Sequence, residues 1–218
     1  MTNITPPKIR PYGDHAILVE WAGAEFSDAI NDQVHMLAVK LRESGKYVEV
    51  IPGYDSLVGV FDLAQYAQDS VKRHIEDILA RENFGQTELG PLLEIPVHYG
   101  GENGPDMDRI CETSKLSLDG VIAKHSGQTY RVCMMGFIPG FTFLSPAPKE
   151  LHHPRLATPR AKVPAGSIGI ANWQTGIYGL ESPGGWQIIG RTPLSIFDAT
   201  RETPFLLNAG ERVRFIPQ

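Results

Sequence analysis

The sequence predicts an α+β domain over residues 1–88 followed by a mainly-β barrel domain over residues 89–218. Three observations predict this. Only 5 of the 22 glycines and 4 of the 17 prolines precede residue 85, so long helices fit the first part alone. That first part carries helical periodicity between short strands. The second carries many short apolar runs divided by turn residues, the pattern of a closed or nearly closed barrel.

Taken in order, His15 to Trp21 reads as a strand. Ser27 is an N-cap residue, and Ile30, Val34, Leu37 and Leu41 follow at helical spacing until Gly45. Tyr47 to Ile51 and Ser56 to Phe61 are strands around the turn sequence Pro52-Gly53-Tyr54-Asp55. Val71, Ile75, Ile78 and Leu79 mark a second helix over about 64–82. With a last strand at Leu92 to His98, this order is close to the ferredoxin-like split βαβ pattern. A linker is expected over 83–91.

Leu92 to Tyr99 also opens the second part. Asp106 and Ser117 are candidate caps for two short helices, the second ending at His125. Strands are expected at 130–135, 167–171, 175–180, 186–189, 194–197 and 212–216.

Net charge is −5, with 42% hydrophobic and 21% charged residues, which argues against general nucleic-acid binding. No signal peptide or membrane span is read, so a cytoplasmic location is expected. The two cysteines, Cys111 and Cys133, lack metal-type spacing and are expected to be reduced. P-loop, G-x-G-x-x-G, H-E-x-x-H and G-x-S-x-G motifs are absent.

Against this acidic background, residues 136–193 hold five cations (Lys149, Arg155, Arg160, Lys162 and Arg191) and two carboxylates, Glu150 and Glu181. A basic island in an acidic chain is a candidate anion site. Pro154, Pro159 and Pro164 stiffen the loop around Arg155 and Arg160, and a preset guanidinium fork suits carboxylate or phosphate. The competing reading is two surface arginines solvating a loop. Of the seven histidines, His98 and His125 are the acid/base candidates; each equally fits a structural histidine bonded to backbone. The helix end at His125 is expected to favour the imidazolium. Phe137, Phe141, Phe143 and Trp186 read first as core or interface aromatics. Ser182 is a nucleophile only in the weakest sense, because no partnered base is visible.

The chain carries Tyr12-Gly13-Asp14, Val50-Ile51-Pro52-Gly53-Tyr54, Tyr99-Gly100-Gly101-Glu102, Gly104-Pro105-Asp106, His125-Ser126 and Pro139-Gly140-Phe141. Thr158-Pro159-Arg160, Val163-Pro164-Ala165-Gly166-Ser167, Ser182-Pro183-Gly184-Gly185-Trp186 and Gly190-Arg191-Thr192-Pro193 follow. In these ordered motifs it resembles the family that includes the B component of 5-oxoprolinase, allophanate hydrolase subunit 1 and the kinase inhibitor KipI. The resemblance implies a ferredoxin-like N-terminal domain and a cyclophilin-like barrel. It implies an ATP-dependent 5-oxoprolinase complex that opens 5-oxo-L-proline to L-glutamate. This chain would form it with a paralogous, cyclophilin-like C component and a separate A component, and would be inactive alone. ATP, with or without Mg2+, would be shared with those partners, with no tightly bound cofactor and no protein-held metal. Two other activities are compatible with the resemblance: a KipI-like inhibitor of a sensor histidine kinase, and membership of a urea- or allophanate-processing complex. Residue chemistry and motif position together nominate His125, Arg160, Asp106 and His98 as catalytic. They nominate Arg155, Lys162, Arg191, Ser182 and Tyr178 for substrate or phosphate. Isomerase activity does not follow from a cyclophilin-like barrel.

Overall fold

The structure, a computed structural model, describes residues 4–21, 26–81 and 90–218. Most of the expected linker falls on residues 82–89, outside the described residues. The chain forms two compact units, residues 1–88 and 89–218.

The first unit contains β1 (Lys8–Pro11), β2 (Ala16–Glu20), α1 (Asp28–Glu43), β3 (Tyr47–Pro52), β4 (Ser56–Phe61) and α2 (Gln68–Arg81). Its sheet is antiparallel in the order β1-β2-β4-β3. Ser27 caps α1, its Oγ accepting from the Ile30 N–H at 3.4 Å. Gly45, at φ +67°, turns the chain out of the helix, a conformation that a side chain would strain. The apolar stripe Val34, Leu37 and Leu41 packs in one cluster with Ile17, Val19, Leu57 and Phe61. Within this unit β1 was not legible in the sequence: it is mostly exposed and ends in a proline, so it shows neither alternation nor an apolar run. A second difference concerns Leu92–Tyr99. That strand pairs within the second unit, and β1 takes the outer place beside β2.

The second unit contains β5 (Leu92–Tyr99), α3 (Met107–Ser114), α4 (Leu118–Ser126), β6 (Thr129–Met135), β7 (Thr142–Leu144), β8 (Arg160–Val163) and β9 (Ser167–Ala171). It continues with β10 (Gln174–Ile177), β11 (Ser182–Gly184), β12 (Gln187–Arg191) and β13 (Arg212–Pro217). Seven strands close a barrel in the order β10-β7-β6-β13-β5-β12-β9, while β8 and β11 pair as a separate two-stranded ribbon. The strand expected at 194–197 does not form. Pro193 supplies no N–H, and the next N–H, of Leu194, folds back on the Thr192 hydroxyl at 3.2 Å. The expected cap at Asp106 is also corrected. Asp106 occupies the N-cap position of α3 but makes no cap bond, because its carboxylate is used elsewhere. Ser117 does cap α4, accepting from the Gly120 N–H at 3.1 Å.

Strand alternation divides the apolar residues between two layers. Ile170, Ile177 and Ile189 join the barrel core with Ile95, Val97, Val132 and Phe215. Their chain neighbours Ala171, Tyr178 and Ile188 belong to a second cluster with Phe141, Val163 and Trp186. This second cluster lies on the outer side of the same strands, with Val163 of the β8–β11 ribbon in it, and it carries an aromatic cavity.

Candidate functional site

Phe137, Phe141, Phe143, Arg155, Pro159, Tyr178, Pro183, Gly184, Gly185 and Trp186 line a cavity of about 310 Å³. Its floor is aromatic: the Phe141 ring meets Tyr178, Trp186 and Phe143 at centroid distances of 4.8, 5.2 and 4.5 Å. Phe137 stands at the rim, 67% exposed and at φ +67°. A bulky residue in that region is strained, and such strain gathers at functional edges.

Burial pushes the Tyr178 phenol up to about 12, against the backbone N–H of Trp186 and the positive charges of Arg155 and Arg160, which pull it down. The phenol is therefore a neutral donor throughout the physiological range. Gly184 permits its position, since a Cβ there would overlap the Tyr178 hydroxyl.

Arg160 is fixed from behind. Its Nη2 donates to Asp106 Oδ1 at 2.7 Å, while Asp106 Oδ2 accepts from the Ile188 N–H at 2.6 Å. Asp106 is 5% exposed, and the Arg160 Nη1 atom is buried without a hydrogen-bond partner. Arg160 does not line the cavity and reaches it through its charge on the Tyr178 phenol, whereas Arg155, in the wall, is the cation that a bound oxyanion would meet. Among the described residues no carboxylate pairs with Arg155.

The other nominated residues lie elsewhere. His98 and Arg191 face each other across β5 and β12 and line a second cavity. Lys162 is exposed and pairs with Glu181 at 3.0 Å. Ser182 sits in β11, its hydroxyl donating to Pro183 O at 3.2 Å, and among the described residues no histidine or carboxylate is hydrogen-bonded to it as a base. Neither Lys162 nor Ser182 lines these two cavities.

His125 is inside the barrel core and fully buried. Thr175 Oγ1 donates to Gly169 O at 3.0 Å, so it accepts from His125 Nε2 at 3.0 Å, and the Tyr99 hydroxyl donates to Nδ1 at 2.8 Å. The ring is thus a neutral Nε2–H tautomer. It stacks on Phe215 at 4.7 Å. Burial pushes it down to about 3, reversing the expectation that the helix end would favour the imidazolium; desolvation outweighs the dipole.

In the sequence Phe141 and Trp186 read as core or interface aromatics. They are buried, 1% and 5% exposed, and they also wall the cavity. The available signal was the recurrence of aromatics between the same Gly-Pro motifs that carry the arginines. Among the described residues no group of three or more His, Cys, Asp or Glu could hold a metal ion, and no helix is long and apolar enough to cross a membrane.

The family described as carboxyltransferase domain, subdomain C and D, matches residues 7–207. The chain is similar to the B component of 5-oxoprolinase from Bacillus subtilis (strain 168), 38% identical over 96% of this chain and 92% of that protein. It is similar to the B component of 5-oxoprolinase from Escherichia coli O157:H7, 42% identical over 87% of each chain. Among solved structures it matches the crystal structure of TTHA0988 in space group P212121 with a TM-score of 0.80 and 33% identity. That match covers 97% of this chain, which spans 40% of the length of the TTHA0988 chain.

Proposed function

This chain belongs to the carboxyltransferase subdomain C and D family, and from that premise we propose that it is the B component of an ATP-dependent 5-oxoprolinase, the complex that hydrolyses 5-oxo-L-proline to L-glutamate. The carrying observation is the 38% and 42% identity, over most of the chain, to proteins named as that component of 5-oxoprolinase.

The aromatic cavity agrees with such a substrate. 5-Oxoproline is a small ring carrying one carboxylate and one lactam carbonyl. Phe141, Phe143, Trp186, Pro159 and Pro183 supply an apolar wall for the ring. Arg155 supplies a cation for the carboxylate. The neutral Tyr178 phenol, with Arg160 close behind it, supplies a donor toward the carbonyl oxygen as charge develops there. A lactam is a poor electrophile, so ATP is needed to activate its oxygen before water attacks; any Mg2+ would arrive on the nucleotide's phosphates. Asp106 acts by holding Arg160. His125, sealed in the core, positions the barrel's inner hydrogen bonds and does not meet the substrate.

On this reading the N-terminal unit is a ferredoxin-like domain whose edge strand, β1, comes from the N-terminal side, with the domain boundary at residues 88 and 89. The second unit is a cyclophilin-like barrel. The chain acts in the cytoplasm, shares ATP with the A and C components of the complex, and is inactive alone.

The test is reconstitution. The purified chain, mixed with its A and C partners, is expected to show 5-oxoproline-dependent ATP hydrolysis with glutamate as product. Omitting this chain should abolish it. A complete mixture that hydrolyses no ATP in response to 5-oxoproline would overturn the assignment.

A further inference from the structure

Beside the aromatic cavity lies a second one, of about 420 Å³, lined by His98, Asn103, Arg191, Thr192 and the segment running on to Phe197. The two compartments are neighbours along the chain: Tyr178 lines the first and Gly179 the second. At this place Gly179 packs on Gly140, and Gly140 packs on Phe197, so closely that a Cβ on either glycine would overlap its neighbour.

The second cavity has a consistent chemistry. None of its lining residues is acidic. Arg191 pairs with His98 in the β12–β5 register, which puts both side chains on one face of the barrel. Arg191 Nε donates to Ala165 O at 2.9 Å, which fixes the guanidinium, and no described carboxylate neutralises it. The contrast with Lys162 and Arg160, each tied to a carboxylate, is direct. The Asn103 amide and the Thr192 hydroxyl add further donors. A carboxylate offers two oxygens, whereas a phosphoryl group offers at least three strong acceptors and matches this larger donor set.

We propose that the cavity between His98, Arg191 and the segment Thr192–Phe197 binds a phosphate group, in a compartment separate from the aromatic cavity. The site stands on its own geometry; its use as the phosphate compartment of an ATP-dependent reaction rests on the 5-oxoprolinase assignment. Inorganic phosphate and a nucleoside triphosphate share this chemistry, and titrating each separately tells the two sources apart.

The experiment is titration of the full chain with inorganic phosphate, and in parallel with a non-hydrolysable ATP analogue, followed by calorimetry and by the His98 ring resonances. Saturable binding with His98 shifts is expected for at least one probe. Arg191→Gln should weaken it about tenfold, as for loss of one charge-assisted contact, with a smaller loss for His98→Gln. Arg191→Lys and a thermal melt of each variant separate lost binding from lost fold: a folded Arg191→Gln chain that binds like wild type overturns the proposal. So does binding that leaves His98 unmoved, or that weakens equally in Lys124→Gln, a cation paired with Glu150 outside both cavities. No binding of either probe also overturns it. These outcomes need no turnover, so failure of this site is distinguishable from failure of the 5-oxoprolinase assignment.

Discussion

Arg160 and Asp106 are 54 residues apart in sequence and 2.7 Å apart in the fold, joined Nη2 to Oδ1, with the second carboxylate oxygen taken by the Ile188 N–H. The carboxylate is almost fully buried, while the Arg160 side chain is 31% exposed. Losing one partner of a buried pair costs about 3–5 kcal/mol, and the exposure of Arg160 moves this pair below that range. Asp106→Ala and Arg160→Ala are each expected to destabilise the chain by about 2 kcal/mol. The double variant should lose less than the two losses added, since the residues share one interaction. Urea unfolding of the four proteins measures this, and strict additivity would show that the pair is not coupled.

Arg155 and Tyr178 should separate kinetically. Arg155→Ala removes a cation that meets substrate in ground and transition states alike, so KM for 5-oxoproline should rise about tenfold or more with little change in kcat. Tyr178→Phe keeps the ring and removes the donor, so kcat should fall about 10²-fold with KM nearly unchanged. Steady-state kinetics of the reconstituted complex check both. Equal losses in KM from the two variants would place Tyr178 in binding and not in the chemical step.

Gly184→Ala tests how closely the phenol is held. The added methyl would overlap the Tyr178 hydroxyl, so the ring must move and activity should fall at least as far as in Tyr178→Phe. Removing the hydroxyl relieves the tightest overlap and leaves only the closer ring carbons, at 2.9 and 3.0 Å, to adjust. The double variant Gly184→Ala/Tyr178→Phe should therefore be no less active than Gly184→Ala alone, and more stable to heat. A double variant as unstable as Gly184→Ala would point to the backbone and not to the hydroxyl.

These residues also show what was legible in the sequence. The helices of the first unit announce themselves through Ser27, Val34, Leu37, Leu41 and Gly45, because capping and periodicity are local. Strands β1, β7, β8 and β11 do not, being only three or four residues long; β1 is an exposed edge strand ending in a proline, and β8 and β11 pair only with each other. The cationic side of the site was legible as a run of Arg and Pro around 155–164. Its division into two compartments was not: Arg155 and Arg191 look alike in sequence, and only the pairing of β12 with β5 takes Arg191 to His98. His125 shows the same limit. A histidine at a helix end reads equally as an acid/base group or as a structural histidine, and nothing local tells that Tyr99, Tyr130 and Phe215 will surround it.

That surrounding makes His125 an acid-sensitive element of stability. Its pKa is lowered by burial from about 6.5 to about 3, so between those values the unfolded chain binds a proton that the folded chain does not. The neutral ring's contribution is complete above about pH 6.5 and is lost as pH falls toward 3. The slope from this one group approaches about 1.4 kcal/mol per pH unit in the middle of the window. Urea midpoints of wild type should fall from pH 6.5 to pH 4, and the His125 ring resonances should stay constant between pH 5 and pH 8. His125→Gln should keep a hydrogen-bonding group in place, lower stability at pH 7, and show a shallower decline with acid. A His125 resonance that titrates near 6.5, or a variant whose acid slope matches wild type, would mean that the ring reaches water and that its burial does not govern acid stability.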